Sequence, residues 1–270
     1  MVYQQDILRL NHCLFTRLAG TTLVRDDAVL AINPRNPGHQ QSNLCFRLRL
    51  HEHLQDTFDP FLRETLAIFE QAGIQPRYII DDLATPSVEA LVHAFEQAGF
   101  HVERDYDVIM SRDPDHSNSS TMTQDTVRED IVRKATMQDH KALCALFGKA
   151  FGYEDTEWLI YKVRCQLEDP TTFPTYVIEQ EGQVVSATIL NLPPGLPIGH
   201  VNVCATLPGY QGQGLAKKCL DYALNKASQG RKMYLEVYDE ISHAQRMYQQ
   251  LGFKIEGTMA VFPAIKKDQK

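Results

Sequence analysis

The residues best suited to chemistry in this chain lie in one stretch, Val201–Leu220, VNVCATLPGYQGQGLAKKCL. Gly209, Gly212 and Gly214 stand there between an apolar, β-prone run and a run with helical apolar spacing. Glycines at a strand-to-helix junction let successive backbone N–H groups turn toward one point. The helix N-terminus adds its partial positive charge to that point. Such a junction is either a tight turn or a cradle for phosphate. The Walker pattern is excluded because no Gly-Lys-Ser/Thr follows. The dinucleotide pattern fails because Lys217 occupies the place of its third glycine. What remains is Gln211-Gly212-Gln213-Gly214-Leu215-Ala216, with a helix beginning at or inside it, and a pyrophosphate fits that arrangement.

The elements around the loop alternate between strand and helix. VREDIVRKA predicts a strand, and Asp139 is the expected N-cap of a helix carrying Leu143, Leu146, Phe147 and Ala150. TEWLIYKVRCQLED predicts a second helix, and TYVIEQEGQVVSATILNL a hairpin turning at Glu181-Gly182. GHVNVCAT leads as a strand into the loop. Beyond it, Leu215, Cys219, Leu220, Ala223 and Ala227 share one helical face that stops at Gly230. KMYLEVY, the helix SHAQRMYQQLG capped at Ser242, and FKIEGTMAVFPAI complete the series. This order predicts an α/β (α+β) fold, a mixed central sheet flanked by helices. The glycine loop falls at the carboxyl end of a strand, where ligands bind in open α/β sheets.

The polar stretch RDPDHSNSSTMTQDT reads as a linker at 113–126, dividing a domain at 1–112 from one at 127–270. The first half echoes the second. FEQAGFHVERDYDVIM resembles YQQLGFKIEGTMAVF, so that Phe95 answers Tyr248, Gly99 answers Gly252 and Phe100 answers Phe253. Two tandem copies of one fold are the expectation. The first copy has HEHLQDTFDP where a glycine loop would be, before a helix expected over Phe61–Ala72. It carries phenylalanine in place of the tyrosine and reads as a copy without cofactor binding. Its expected use is to wall the acceptor cleft, with Arg77, Asp81 and Asp82 as candidate residues facing it or as a solvated strand end.

A net charge of −7 over 270 residues argues against a nucleic-acid binder. The six cysteines, Cys13, Cys45, Cys144, Cys165, Cys204 and Cys219, form no CxxC, which points to reduced thiols and no metal site. No leader or membrane-spanning run is visible, so a cytoplasmic location with no membrane partner is expected.

From Val127 to Ile265 the chain resembles the GCN5-related N-acetyltransferases, GNAT, whose loop reads Q/R-x-x-G-x-G/A. Gln211, Gly214 and Ala216 match it, between a strand and a helix, and Tyr248–Phe253 matches a second family feature, Y-x-x-x-G-F. The resemblance implies acetyl-CoA as cosubstrate, with its pyrophosphate on the amides of Gln211, Gly212, Gln213, Gly214, Leu215 and Ala216. It implies a pantetheine arm laid along Cys204, Ala205 and Thr206, with a main-chain N–H there stabilising the oxyanion. Cys204 would act through its main chain rather than as a nucleophile.

The further roles are also implied by the resemblance. Tyr248 would be the general acid for the departing thiolate. His200 stands where several members carry a glutamate, and an imidazole, ordinarily near pKa 6.5, can accept the proton of the attacking amine. Structural histidine, Glu236 and ordered water stay open as alternatives. Ile241 departs from the family's frequent asparagine and puts one cofactor contact in doubt. The expected activity is acetyl transfer to a primary amine, small-molecule or peptide, by a monomer or homodimer. A CoA-binding sensor or interaction module without turnover is the alternative.

Overall fold

A computed structural model describes residues 1–114, 132–228, 230–238 and 242–266. The expected linker at 113–126 lies almost wholly outside the described residues, as do Ile241 and most of the first strand expected in the second half.

Two compact units form. The first holds Met1–Gln4, Asn11–Val108 and the chain from Thr258 onward; the second holds Gln5–Leu10 and Ile109–Gly257. Each unit is therefore discontinuous in sequence, Gln5–Leu10 falling with the second and the chain from Thr258 with the first. Helix α1 (Val2–Leu18) contributes residues to both units.

In the first unit, β1 (Thr21–Val24), β2 (Val29–Ile32) and β3 (Leu44–Phe46) pair antiparallel in succession. Helix α2 (Leu54–Ala72) then crosses over to β4 (Arg77–Asp81), which lies parallel to β3. The chain continues through α3 (Val88–Gln97), β5 (Phe100–Val102) and β6 (Tyr106–Arg112), whose residues from Ile109 onward belong to the second unit. Helix α2 starts at Leu54, ahead of the expected Phe61, and carries Pro60 inside it. The proline removes one N–H bond near the helix start, while Phe58, Phe61, Leu62 and Phe69 still bury on one face. Phe58, Phe61, Phe69, Tyr78, Phe95 and Phe100 interlock in the core, the Tyr78–Phe95 centroids being 4.8 Å apart.

In the second unit, β7 (Val132–Lys134) is followed by α4 (His140–Phe151) and α5 (Glu157–Glu168). Asp139 does not cap α4 through its side chain. Its carboxylate accepts instead from Arg133, at 2.7 and 2.9 Å, and from the Thr136 N–H, at 2.8 Å. Strands β8 (Thr175–Gln180) and β9 (Gln183–Asn191) form the expected hairpin. Glu181 and Gly182 take φ of 52° and 77°, the left-handed pair of a type I′ turn. Strand β10 (Ile198–Thr206) adds antiparallel to β9, and α6 (Leu215–Ala227) crosses over to β11 (Lys232–Tyr238), parallel to β10. The order β7-β8-β9-β10-β11 is thus a mixed sheet. Helix α7 (Ser242–Gln250) leads into β12 (Lys254–Lys266).

Both units run antiparallel pairings, two in the first and three in the second, then a helical crossover to a parallel strand, a second helix and a strand. Gly99 and Gly252, at φ 85° and 87°, make the same left-handed exit from the second helix, each followed by a buried phenylalanine.

Strand β12 accounts for the first unit's discontinuity. Val261–Ile265 pair antiparallel with β4, and Ala260, Phe262 and Ala264, alternating along the strand, fill the first unit's core. Phe262→Ala should cost about 3–5 kcal/mol of stability. Urea unfolding measures this, and a loss below about 1 kcal/mol would place the ring outside the core.

Candidate functional site

Strands β10 and β11 pair at Ile198–Lys232, Gly199–Met233 and His200–Tyr234, and their register ends there. Val201–Thr206 continue along β9 without a registered partner on β11. At the same point β10 bulges: Val201 faces Leu190, Val203 faces Ile189, and Asn202 is the extra residue. A bulge bends and twists its strand. The result is a parallel pair that parts just before the glycine loop, with main-chain groups of β10 left unoccupied on one side.

Beyond β10 the chain makes a 3₁₀ turn at Pro208–Tyr210 and enters the loop. The Gln211 side chain donates to the Thr206 carbonyl at 3.3 Å, holding the two ends of the turn together. Gly212 and Gly214 have φ of 77° and 74°, a conformation costly for residues with a Cβ. A Cβ at either would meet nothing within 4 Å, so these glycines serve the dihedral and leave the space beside them clear. Gly209 has no such requirement. Gly214 is the N-cap of α6 without a side-chain cap, so first-turn amides of α6 remain open toward the loop.

Cys204 packs at the start of the parted stretch. Its thiol accepts from Thr188 at 3.8 Å and donates to the Ala216 carbonyl at 3.9 Å, and burial pushes its pKa up to about 11. Ser186 fixes the adjacent backbone, donating to the Ala205 carbonyl at 3.0 Å and contacting the Thr206 hydroxyl at 2.8 Å. Tyr248 on α7 is half-buried, and its hydroxyl makes no hydrogen bond among the described residues. Burial, with the nearby Cys204 thiol as a smaller cause, raises that phenol's pKa well above its ordinary value. Tyr234, the other candidate phenol on the adjoining strand, already donates to Asp6 at 2.7 Å.

His200 is buried with its Nε2 3.2 Å from the Glu236 carboxylate. The distance suits an ion pair, yet the angles are not those of a hydrogen bond, and both ring nitrogens lack hydrogen-bond partners. We read this as proximity without a formed bond. The four-residue spacing would place His200 and Cys204 on one face of a regular strand. The bulge reverses this: their partners on β9, Asn191 and Thr188, are an odd number of residues apart. His200 therefore shares a face with Tyr234 and Glu236, and Cys204 turns toward α6.

The structure also brings residues to this place that the sequence did not mark. Gln166 on α5 donates to the Asn202 side chain at 2.9 Å, tying the helix to the bulge. Gln166 Oε1 and Asn191 Nδ2 are buried without partners. No motif carries these amides; only the register shift reveals them. In the first unit, Phe95 occupies the place of Tyr248 and lies wholly in the core. Asp81 is buried and accepts from the Leu83 N–H at 2.9 Å, and Asp82 accepts from Gln4 at 2.6 Å. Arg77 is half-buried. Among the described residues no group of three His, Cys, Asp or Glu could hold a metal ion, and no helix is long and apolar enough to cross a membrane.

Residues 135–253 match the model of the acetyltransferase (GNAT) family. A GCN5-related N-acetyltransferase from Kribbella flavida shares the fold at TM-score 0.64 and 15% identity, over 96% of this chain and 95% of that one. A functionally unknown conserved protein from Staphylococcus epidermidis matches at 0.65 and 12%, over 93% and 96%. A tandem GNAT protein from the clavulanic acid biosynthesis pathway matches at 0.59 and 12%, over 90% and 79%. No match was found among curated proteins.

The raised pKa of Cys204 has a direct consequence. A thiol near pKa 11 is about 0.1% thiolate at pH 8, so its alkylation should be roughly a hundredfold slower than that of a free thiol. Iodoacetamide labelling followed by peptide mapping measures the rate. Rapid labelling would mark Cys204 as a reactive nucleophile.

Proposed function

We propose that the second unit is an N-acetyltransferase that moves an acetyl group from acetyl-CoA to a primary amine by direct attack. The observation that carries this is the parting of β10 from β11 immediately before the loop, with the Tyr248 hydroxyl free beside Cys204. Acetyl-CoA supplies the activated thioester. The amides from Gln211 to Ala216 hold its pyrophosphate, the positive end of α6 adding to the attraction. The unpaired main chain at Cys204, Ala205 and Thr206 holds the pantetheine arm, and a main-chain N–H there stabilises the oxyanion as the amine attacks.

His200 takes the amine's proton, with Glu236 placed to stabilise the imidazolium that results. Tyr248 gives a proton to the departing thiolate. Its raised pKa keeps it protonated, and therefore competent as an acid, through the whole working range. The raised pKa of Cys204 supports direct attack over an acyl-enzyme.

Tyr248→Phe should lower kcat at least about tenfold while leaving the acetyl-CoA Kd within twofold, measured by thiol release and calorimetry. Wild-type kcat should show no decline assignable to Tyr248 up to pH 10. His200→Gln should lower kcat/KM for the amine by about tenfold or more. Unchanged rates in Tyr248→Phe would hand the acid role to water. A protein that binds acetyl-CoA yet acetylates no amine in a broad panel would be a sensor.

A further inference from the structure

Lys232, Tyr234 and Glu236 alternate along β11 and so share one face of the second unit's sheet. His200 joins them there, as the registered neighbour of Tyr234 in the last pair before β10 and β11 part. The contacts agree with the register. His200 Nε2 lies 3.2 Å from the Glu236 carboxylate, and the Lys232 ammonium lies over the Tyr234 ring, 5.0 Å from its centroid. From α1, Asp6 reaches the same face, where its Oδ2 accepts from the Tyr234 hydroxyl at 2.7 Å.

The charges on this face do not cancel. Lys232 is held 2.9 Å from Glu256, which offsets its charge. Asp6 makes no ion pair among the described residues, and its partner is a neutral phenol. Burial raises the pKa of Tyr234, and the charges of Asp6, Glu256 and Asp113 raise it further, so three carboxylates bear on one hydroxyl. Carboxylates at a surface are ordinarily satisfied by water. These adjoin a buried group that is not: His200 is 5% exposed, and both of its ring nitrogens lack hydrogen-bond partners. An imidazole open to a ligand thus stands where the local field favours a cation.

We propose that the acceptor is a linear aliphatic diamine, with its attacking nitrogen at His200 and its second ammonium on the Asp6 carboxylate. This inference rests on the acceptor-amine reading above and names its substrate class. Asp6 stands at the tip of Tyr234, and Glu236, beside His200, lies two residues further along β11, a rise of roughly 7 Å. Putrescine has about that span. Its distal ammonium donates to Asp6 Oδ1 in a charge-assisted bond, while Oδ2 keeps the Tyr234 hydroxyl. The transfer step is unchanged. The proximal nitrogen forms the C–N bond as the C–S bond breaks, its proton passes to His200, and the thiolate takes one from Tyr248. The distal ammonium keeps its charge throughout.

The test compares putrescine with butylamine, which lacks only the second amine. With wild type, kcat/KM should favour putrescine. Asp6→Asn removes the charge and retains an oxygen to accept from Tyr234. It should lower kcat/KM for putrescine at least about tenfold, mainly through KM, and change that for butylamine less than about threefold. Because both amines are measured in each protein, the difference in their own basicity cancels. An equal loss for both amines in Asp6→Asn, or no preference in wild type, overturns the proposal.

A second readout does not depend on turnover. Calorimetry should show putrescine binding to the wild-type chain, with affinity at least about tenfold weaker in Asp6→Asn. Equal affinity in the two proteins, or no putrescine binding to wild type, sinks the diamine site. Binding that depends on Asp6, with no amine acetylated, would instead overturn the transferase reading alone.

Discussion

Strand β10 has one residue more than the stretch of β9 opposite it, and the arrangement of the second unit's site follows from that residue. Asn202 breaks the ladder, the parallel pairing with β11 ends beside it, and the main chain from Val201 to Thr206 is left with an unoccupied side. Gln166 holds the bulge from one direction and Ser186 pins the backbone beyond it. The same extra residue sets His200 and Cys204 on opposite faces of the sheet.

This arrangement carries a cost in stability. Unpaired buried polar atoms destabilise a fold by about 1–3 kcal/mol each, and Gln166, Asn191 and His200 all contribute them near the bulge. The corresponding region of the first unit is built differently. Tyr78 there bonds Thr65 at 2.8 Å and packs with Phe61, Phe69, Phe95 and Phe100. Two stretches of one chain with a common topology have thus been filled for different ends, one with interlocked rings and one with polar groups awaiting partners.

Much of this was legible in the sequence because it rests on local pattern. Glu181-Gly182 specifies its turn, the apolar spacing from Leu215 to Ala227 specifies α6, and the glycine pair before it specifies a loop that needs positive φ. Tyr248 could be singled out by its place before Gly252-Phe253. The bulge could not, since no residue type at Asn202 announces a register shift, and the amides of Gln166 and Asn191 depend on it. Helix α2 begins at Leu54 rather than the expected Phe61, with Pro60 inside it and Phe58 buried on its apolar face. The last strand escaped for a different reason: alternation in TMAVFPAI predicts a strand but does not name the sheet it joins.

That last strand bears on how the protein is made. A chain leaves the ribosome from its N-terminus, and domains ordinarily fold in the order of their synthesis. Here the first unit's sheet takes in Val261–Ile265 beside β4, residues translated after Ile109–Gly257 of the second unit. The earlier unit must therefore remain incomplete while the later one emerges, with the edge of β4 uncovered during elongation. Its closure waits for that strand, and the vectorial order of folding is reversed.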